Sequence, residues 1–123
     1  MGKIRPSELD RRLSAGEDLF LLDIRPRDSY RRGCIDGAHN VPVYSDLQRG
    51  DDSSFRSQLD EIPREEDVVV ICKAGIVAKK ATAVLEGEGH DAATLLGGMS
   101  GWNGYQNGTI GYKLRSLLWR TVG

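Results

Sequence analysis

The stretch Asp67-Val-Val-Val-Ile71 limits what this chain can fold into more than any other part of it. A continuous apolar run of that length, bounded by polar residues, is the mark of a strand covered on both faces. A second such run, Leu19 to Leu22 followed by Asp23 and Ile24, reads the same way. The segments around these runs carry helical spacing instead. In "RPSELDRRLSAG", Leu9 and Leu13 lie four apart, Ser7 is the expected cap and Gly16 suits the exit. After the Asp67–Ile71 strand, Ala81, Val84 and Leu85 follow Val77 at intervals of four, seven and eight, and Gly87 and Gly89 end that helix. "PRDSYRRG" predicts a short helix with Pro26 in its first turn and Gly33 past its end.

The weaker segments complete the pattern. "AHNVPV" is a short strand limited by Pro42, and "DAATLL" is a last strand. "QRGDDSSF" reads as a surface loop. "SSFRSQLDEI" offers a turn or two of helix with Phe55 and Leu59 on one face, and "GGMSGW" turns into a short terminal helix. Strands that alternate with helices imply an α/β fold, a parallel sheet with helices on both faces. With 123 residues and no linker or repeat, one domain over residues 1–108 is expected, followed by a basic amphipathic tail, 109–123.

Composition excludes several classes of function. The net charge is −1, which gives no general attraction to nucleic acid. No apolar run is long enough for a membrane span, and no charged-then-apolar leader opens the chain, so a cytoplasmic location is expected. Two cysteines, Cys34 and Cys72, are too few for a disulfide scaffold. His39 and His90 lack partners at metal-ligand spacing, so no metal or other cofactor is expected. His39 is placed beside a turn with a local bond, and His90 on a surface turn. Asp51, Asp52, Glu65 and Glu66 read as solvated faces, and Trp102 and Tyr105 as core and rim at the domain's end.

Against that background, the position of Cys72 stands out. It closes the Asp67–Ile71 strand and opens the loop Lys73-Ala-Gly-Ile-Val77, which runs into a helix. In open parallel sheets ligands bind beyond the carboxyl ends of strands. Gly75 can take a positive φ, which lets successive N–H groups point inward as an anion nest. The helix adds its positive end and Lys73 a cation. Such surroundings favour a thiolate, the nucleophilic form, and a cradle of amides can hold a charged product.

The chain resembles a single-domain rhodanese, a sulfurtransferase. "LLDIRPRDSYRRGCIDGAHNVP" is similar to the family's Asp-x-Arg signature and its Gly-His-Ile-x-Gly-Ala segment. "VVVICKAGIVA" resembles its active-site strand and loop, and "AVLEGEGHDAATLLGGMSGW" its closing helix, strand and Gly-Gly-x-x-x-Trp ending. "IRPSEL" fits the first helix, so the likeness covers roughly residues 4–105. The resemblance implies a five-stranded parallel sheet flanked by helices. It implies that Cys72 accepts a sulfane sulfur from a thiosulfate- or persulfide-type donor, becomes a persulfide, and passes the sulfur to cyanide, a thiol or a protein acceptor. Lys73, Ala74, Gly75, Ile76 and Val77 would cradle the outer sulfur, and Asp23 with Arg25 would shape the site.

Three departures qualify the likeness. The loop ends Ile76-Val-Ala78, with no side-chain donor or charge, so Lys73 alone recognises an anion and a persulfide or protein donor is expected over thiosulfate. Cys34 replaces the family's histidine, where a small buried cysteine is expected rather than a relay thiol for sulfur. The tail beyond Tyr105 is outside the pattern. Leu114, Leu117 and Leu118 share a face with Lys113, Arg115 and Arg120 around it, and packing on the domain is preferred over contact with an anionic membrane surface.

Two rival functions are set against the transferase. A phosphatase of this fold uses C-x5-R, and the arginine position is taken by Ala78. A non-catalytic rhodanese-like module that binds a partner or senses redox state fits the apolar end of the loop, though the retained Cys72 argues against it.

Overall fold

The computed structural model describes residues 2–108, so the tail assigned to residues 109–123, with its three leucines and three basic residues, lies outside the described residues. The elements in order are β1 (Gly2–Ile4), α1 (Pro6–Ser14), β2 (Leu19–Asp23), α2 (Arg27–Arg32) and β3 (His39–Asn40). Then come α3 (Tyr44–Gln48), α4 (Ser53–Arg56), a 3-10 turn (Leu59–Glu61), β4 (Asp67–Ile71), α5 (Ala78–Gly87) and β5 (Ala92–Leu95). A last helix, α6, occupies residues 98–108. All strand pairs are parallel, in the order β1-β5-β4-β2-β3.

The sheet is covered on both faces, as the two unbroken apolar runs require. Adjacent residues of each central strand point to opposite sides. Leu22, Val68, Val70 and Ala92 pack with Leu47, Phe55 and Leu85 under α3, α4 and α5. Leu21, Val69, Ile71 and Ala93 pack with Leu9, Met99 and Trp102 under α1 and α6. Leaving β2 the chain moves outward to β3, and leaving β4 it moves the other way to β5. The order therefore reverses between β2 and β4, and the crevice beyond their carboxyl ends is where such sheets bind ligands.

Several local expectations need correction. Ser7 does not cap α1: Arg5 occupies the cap position without a side-chain bond, and Pro6 supplies the first turn with a preset φ. Pro26 is the cap residue of α2 rather than part of its first turn. The polar loop drawn from Gln48 is shorter than expected, because α3 runs to Gln48 and α4 begins at Ser53. Leu47 of α3 and Phe55 of α4 are buried, and tertiary packing holds helices too short to stand alone.

His90 is not on a surface turn. Its amide donates to Leu85 O (2.9 Å) and the Gly89 amide to Glu86 O (3.1 Å), with Gly89 at φ +90°. That is the helix-ending arrangement in which the residue after the left-handed glycine packs back on the last turn. His90 is consequently only 4% exposed, and neither ring nitrogen has a hydrogen-bond partner among the described residues. An unpaired buried polar group costs about 1–3 kcal/mol. His90→Leu is therefore expected to raise stability by about 1 kcal/mol, read as a higher urea midpoint; a lower midpoint would mean the imidazole is satisfied after all. His39 is exposed and stacks on Phe20, with ring centroids 4.4 Å apart, instead of bonding locally.

Candidate active site

Cys72 follows the last residue of β4, the middle strand of five, and leads into α5 through residues 73–77. Gly75 adopts φ +84°, as the sequence predicts, and its amide donates to Cys72 Sγ at 3.1 Å. The first turn of α5 leaves further N–H groups without intrahelical partners beside the same loop. The loop thus has the beginnings of an amide cradle around one sulfur.

What holds this loop in place was only partly visible beforehand. The Gly97-Gly98 turn lies backbone to backbone against it. Met99 N donates to Cys72 O (2.8 Å) and Ser100 N to Lys73 O (3.0 Å). A Cβ on Gly98 would meet Cys72 O at 2.3 Å, and one on Gly75 would meet Gly97 N at 2.9 Å. Glycine is required at both positions by close approach as well as by φ. The Gly-Gly doublet was the sequence signal, but it does not say which backbone it touches.

Asp23 and Arg25 extend from β2 beside this loop. The Asp23 carboxylate is fully buried and accepts from Arg25 Nη2 (2.8 Å), Nε (3.0 Å) and the Arg25 amide (3.0 Å). Arg25 Nη2 also donates to Gly33 O at 2.7 Å, and Asn40 Nδ2 donates to the Asp23 and Arg25 carbonyls. The Arg25 bond ties the end of β2 to the segment after α2, and the Asn40 bonds tie it to β3.

A cavity of about 790 Å³ opens beyond these strand ends. Arg25 and Lys73 line it, so two of the expected site residues meet there. Ala74, Ile76 and Val77 do not line it; Ile76 points to solvent, 70% exposed, and Val77 is buried. Cys72 is 1% exposed and does not line the cavity, although its neighbour Lys73 does. Arg32, Tyr44 and Asn103 also line the cavity and were not anticipated, because their approach depends on tertiary packing. Lys73 is consequently not the only cation there. Cys34 is exposed and lines the cavity, against the expectation of a buried filler. Arg25 fixes the carbonyl of the preceding residue, which directs this segment along the cavity instead of into the core.

A doubly covered parallel sheet with a cysteine-bearing loop at its switch point defines a class: open α/β proteins with a thiol at the end of the middle strand. Comparison with known proteins narrows it. The family model for the Rhodanese-like domain matches residues 5–105, and the chain belongs to that family. A sulfurtransferase of Allochromatium vinosum is 29% identical over 83% of this chain and 88% of its own length. An HTH-type transcriptional regulator of Mycobacterium tuberculosis is 31% identical over 80% of this chain, and this chain spans only 40% of that regulator's length. Among solved structures, a rhodanese-like domain protein of Staphylococcus aureus superposes with a TM-score of 0.70 at 24% identity, over 83% of this chain and 91% of that one, a likeness of fold.

Among the described residues, no helix is long and apolar enough to cross a membrane.

Proposed function

We propose that the chain is a sulfurtransferase that carries sulfane sulfur as a persulfide on Cys72. The observation that carries this reading is the Gly75 amide directed at Cys72 Sγ at 3.1 Å, in a loop that precedes a helix N-terminus. Amide donors and the positive end of α5 favour an anionic sulfur at that point. The thiolate attacks the sulfane sulfur of a donor, whose leaving group departs as sulfite or a thiolate. An acceptor thiolate or cyanide then removes the outer sulfur and restores Cys72. Lys73 and Gly75 are its closest supports, Ala74, Ile76 and Val77 supply backbone, and Asp23 with Arg25 hold the wall. Sulfurtransferase-named relatives agree with the reading.

The cavity is far larger than thiosulfate, and Tyr44, Met99 and Trp102 give it apolar wall. An organic persulfide is therefore the preferred donor. Turnover with glutathione persulfide is expected to exceed turnover with thiosulfate, and a clear thiosulfate preference would refute that choice. Ile76, the one large apolar side chain that stands exposed among the described residues, favours a second reading, a module that docks a partner. Intact mass after incubation with a sulfane donor separates the two. The transferase gains one sulfur, and Cys72→Ala does not; a wild-type protein that gains none leaves the binding module.

A further inference from the structure

We propose that the strand-end face around the Cys72 loop docks an acidic protein, which receives the sulfur there, with Ile76 at the centre of the contact and a rim of cations that steers the partner in. This rests on the sulfurtransferase reading given above and names the class of acceptor.

The charges of the described residues are divided between the two ends of the sheet. All five strands run the same way, so the segments that leave them share one end. Those segments, residues 5, 24–26, 41–43, 72–77 and 96–97, contain Arg5, Arg25 and Lys73 and no acid. α2 begins with Arg27, and α5 has Lys79 and no acid in its first turn. Asp28 is the exception, while Glu8 and Asp46, in the first turns of α1 and α3, are taken by Arg11 and Arg49. Arg25 is neutralised by Asp23, but Arg5, Arg27, Arg32, Lys73 and Lys79 have no carboxylate partner among the described residues.

The other end has the opposite sign. The segments that enter β2, β4 and β5 hold Glu17, Asp18, Glu65, Glu66, Glu88 and Asp91, with Arg64 the one cation in them. Of these acids, Glu17 and Glu88 are offset by Arg12 and Arg56. The molecule thus carries a charge dipole along its strands, which a net charge of −1 conceals.

Width and apolar content select the partner. Neighbouring strands lie about 4.8 Å apart, so the three steps from β1 to β2 spread the cations over roughly 14 Å. That is wider than a cyanide, sulfite or thiosulfate ion. Ile76, 70% exposed, stands in the loop of the middle strand, between Lys73 and Lys79 in sequence. An apolar centre with a charged rim is the anatomy of a protein interface. A phosphate backbone makes no use of the isoleucine, so an acidic protein fits better than a nucleic acid. Opposite potentials raise encounter rates by about 10–1,000-fold and orient the partner before contact. The acidic end repels the same partner, which favours approach toward the Cys72 end. There the acceptor thiolate takes the outer sulfur of the persulfide. A new S–S bond forms as the bond to Cys72 Sγ breaks and Cys72 leaves as a thiolate, so no oxidant or reductant takes part.

The test uses the full chain, loaded by glutathione persulfide, and two designed acceptors. Each is a small helical bundle with one surface cysteine, surrounded by Asp and Glu in one and by Lys in its twin, for net charges of about −8 and about +8. At about 0.01 M salt, transfer to the acidic acceptor is expected to be about tenfold faster than to the twin, and at about 1 M, where the Debye length is about 3 Å, the two rates converge. Arg5→Glu with Arg27→Glu removes most of the low-salt preference and leaves transfer to dithiothreitol, small and neutral, unchanged. Leucines set beside the cysteine of the acidic acceptor should add about fivefold at high salt, and Ile76→Ser should remove that gain. Equal low-salt rates to the two acceptors, with dithiothreitol still accepting sulfur, overturn the docking face and leave the transferase standing. An RNA oligonucleotide that binds more tightly than the acidic acceptor at about 0.15 M salt overturns it in favour of a nucleic acid. Salt-sensitive dimers of the free protein overturn it too, since the acidic end of a second copy would then cover this face. If Cys72 takes up no sulfur, the transferase reading itself fails, and co-sedimentation of the unloaded chain with each acceptor still decides whether the face binds an acidic protein.

Discussion

Gly98→Ala is expected to cost about 3 kcal/mol or more and to abolish sulfur loading, although the Cys72 side chain is untouched. Gly98 sits at φ +56°, where a side chain alone costs roughly 1–2 kcal/mol. The new Cβ would stand 2.3 Å from Cys72 O, 2.7 Å from Lys73 C and 2.8 Å from Ala74 N. All three are backbone atoms, so no rotamer change relieves the contact. The turn has to retreat, and the bonds from Met99 and Ser100 to Cys72 O and Lys73 O lengthen or break. Each is worth about 0.5–1.5 kcal/mol net. The loop that presents the Gly75 amide then loses its support. Gly104→Ala in the same helix is the control, because nothing lies within 4 Å of a Cβ there. It should stabilise by roughly 0.5–1 kcal/mol through helix propensity. If the two variants share one urea midpoint and load sulfur equally, the interlocked glycine turns do not matter.

That clasp shows where sequence reading stops. The central strand, the cysteine at its end and the positive φ of Gly75 are local: an unbroken apolar run and a glycine between strand and helix suffice to place them. The likeness to a known family added the Asp23–Arg25 pair and a fifth strand. The strand itself, β1, had no local signal, since Gly2 to Ile4 is three residues long and exists by pairing with β5. α3 was hidden in the same way, because Leu47 is its single buried residue. His90 and Cys34 were misplaced for a shared reason. Each follows a glycine just past a helix, Gly89 or Gly33, and a further backbone or side-chain bond decides which way the next side chain faces. Periodicity carries no information about that choice. Arg32 reached the cavity unannounced because a helix end with two arginines reads first as solvated charge.

Asp23→Ala is expected to destabilise the protein by about 3–5 kcal/mol, the range for removing one partner of a buried ion pair. The Arg25 guanidinium would remain at the protein interior with Gly33 O as its remaining acceptor among the described residues, its charge uncompensated. An exposed pair gives a scale for comparison. Arg11 and Glu8 lie 3.6 Å apart on the surface, and Glu8→Ala should change stability by less than about 1 kcal/mol. The buried pair itself need not add net stability, since desolvation of both ions offsets their attraction. The double substitution Asp23→Leu with Arg25→Met should therefore recover most of the loss in a urea titration. Sulfur transfer should not recover with it. Without the guanidinium, Gly33 O is released and the wall that bears Cys34 is no longer tied to the end of β2. A double variant that regained both stability and transfer would show that this wall need not be held. A single Asp23→Ala that cost under about 1 kcal/mol would show that the pair is solvated in solution.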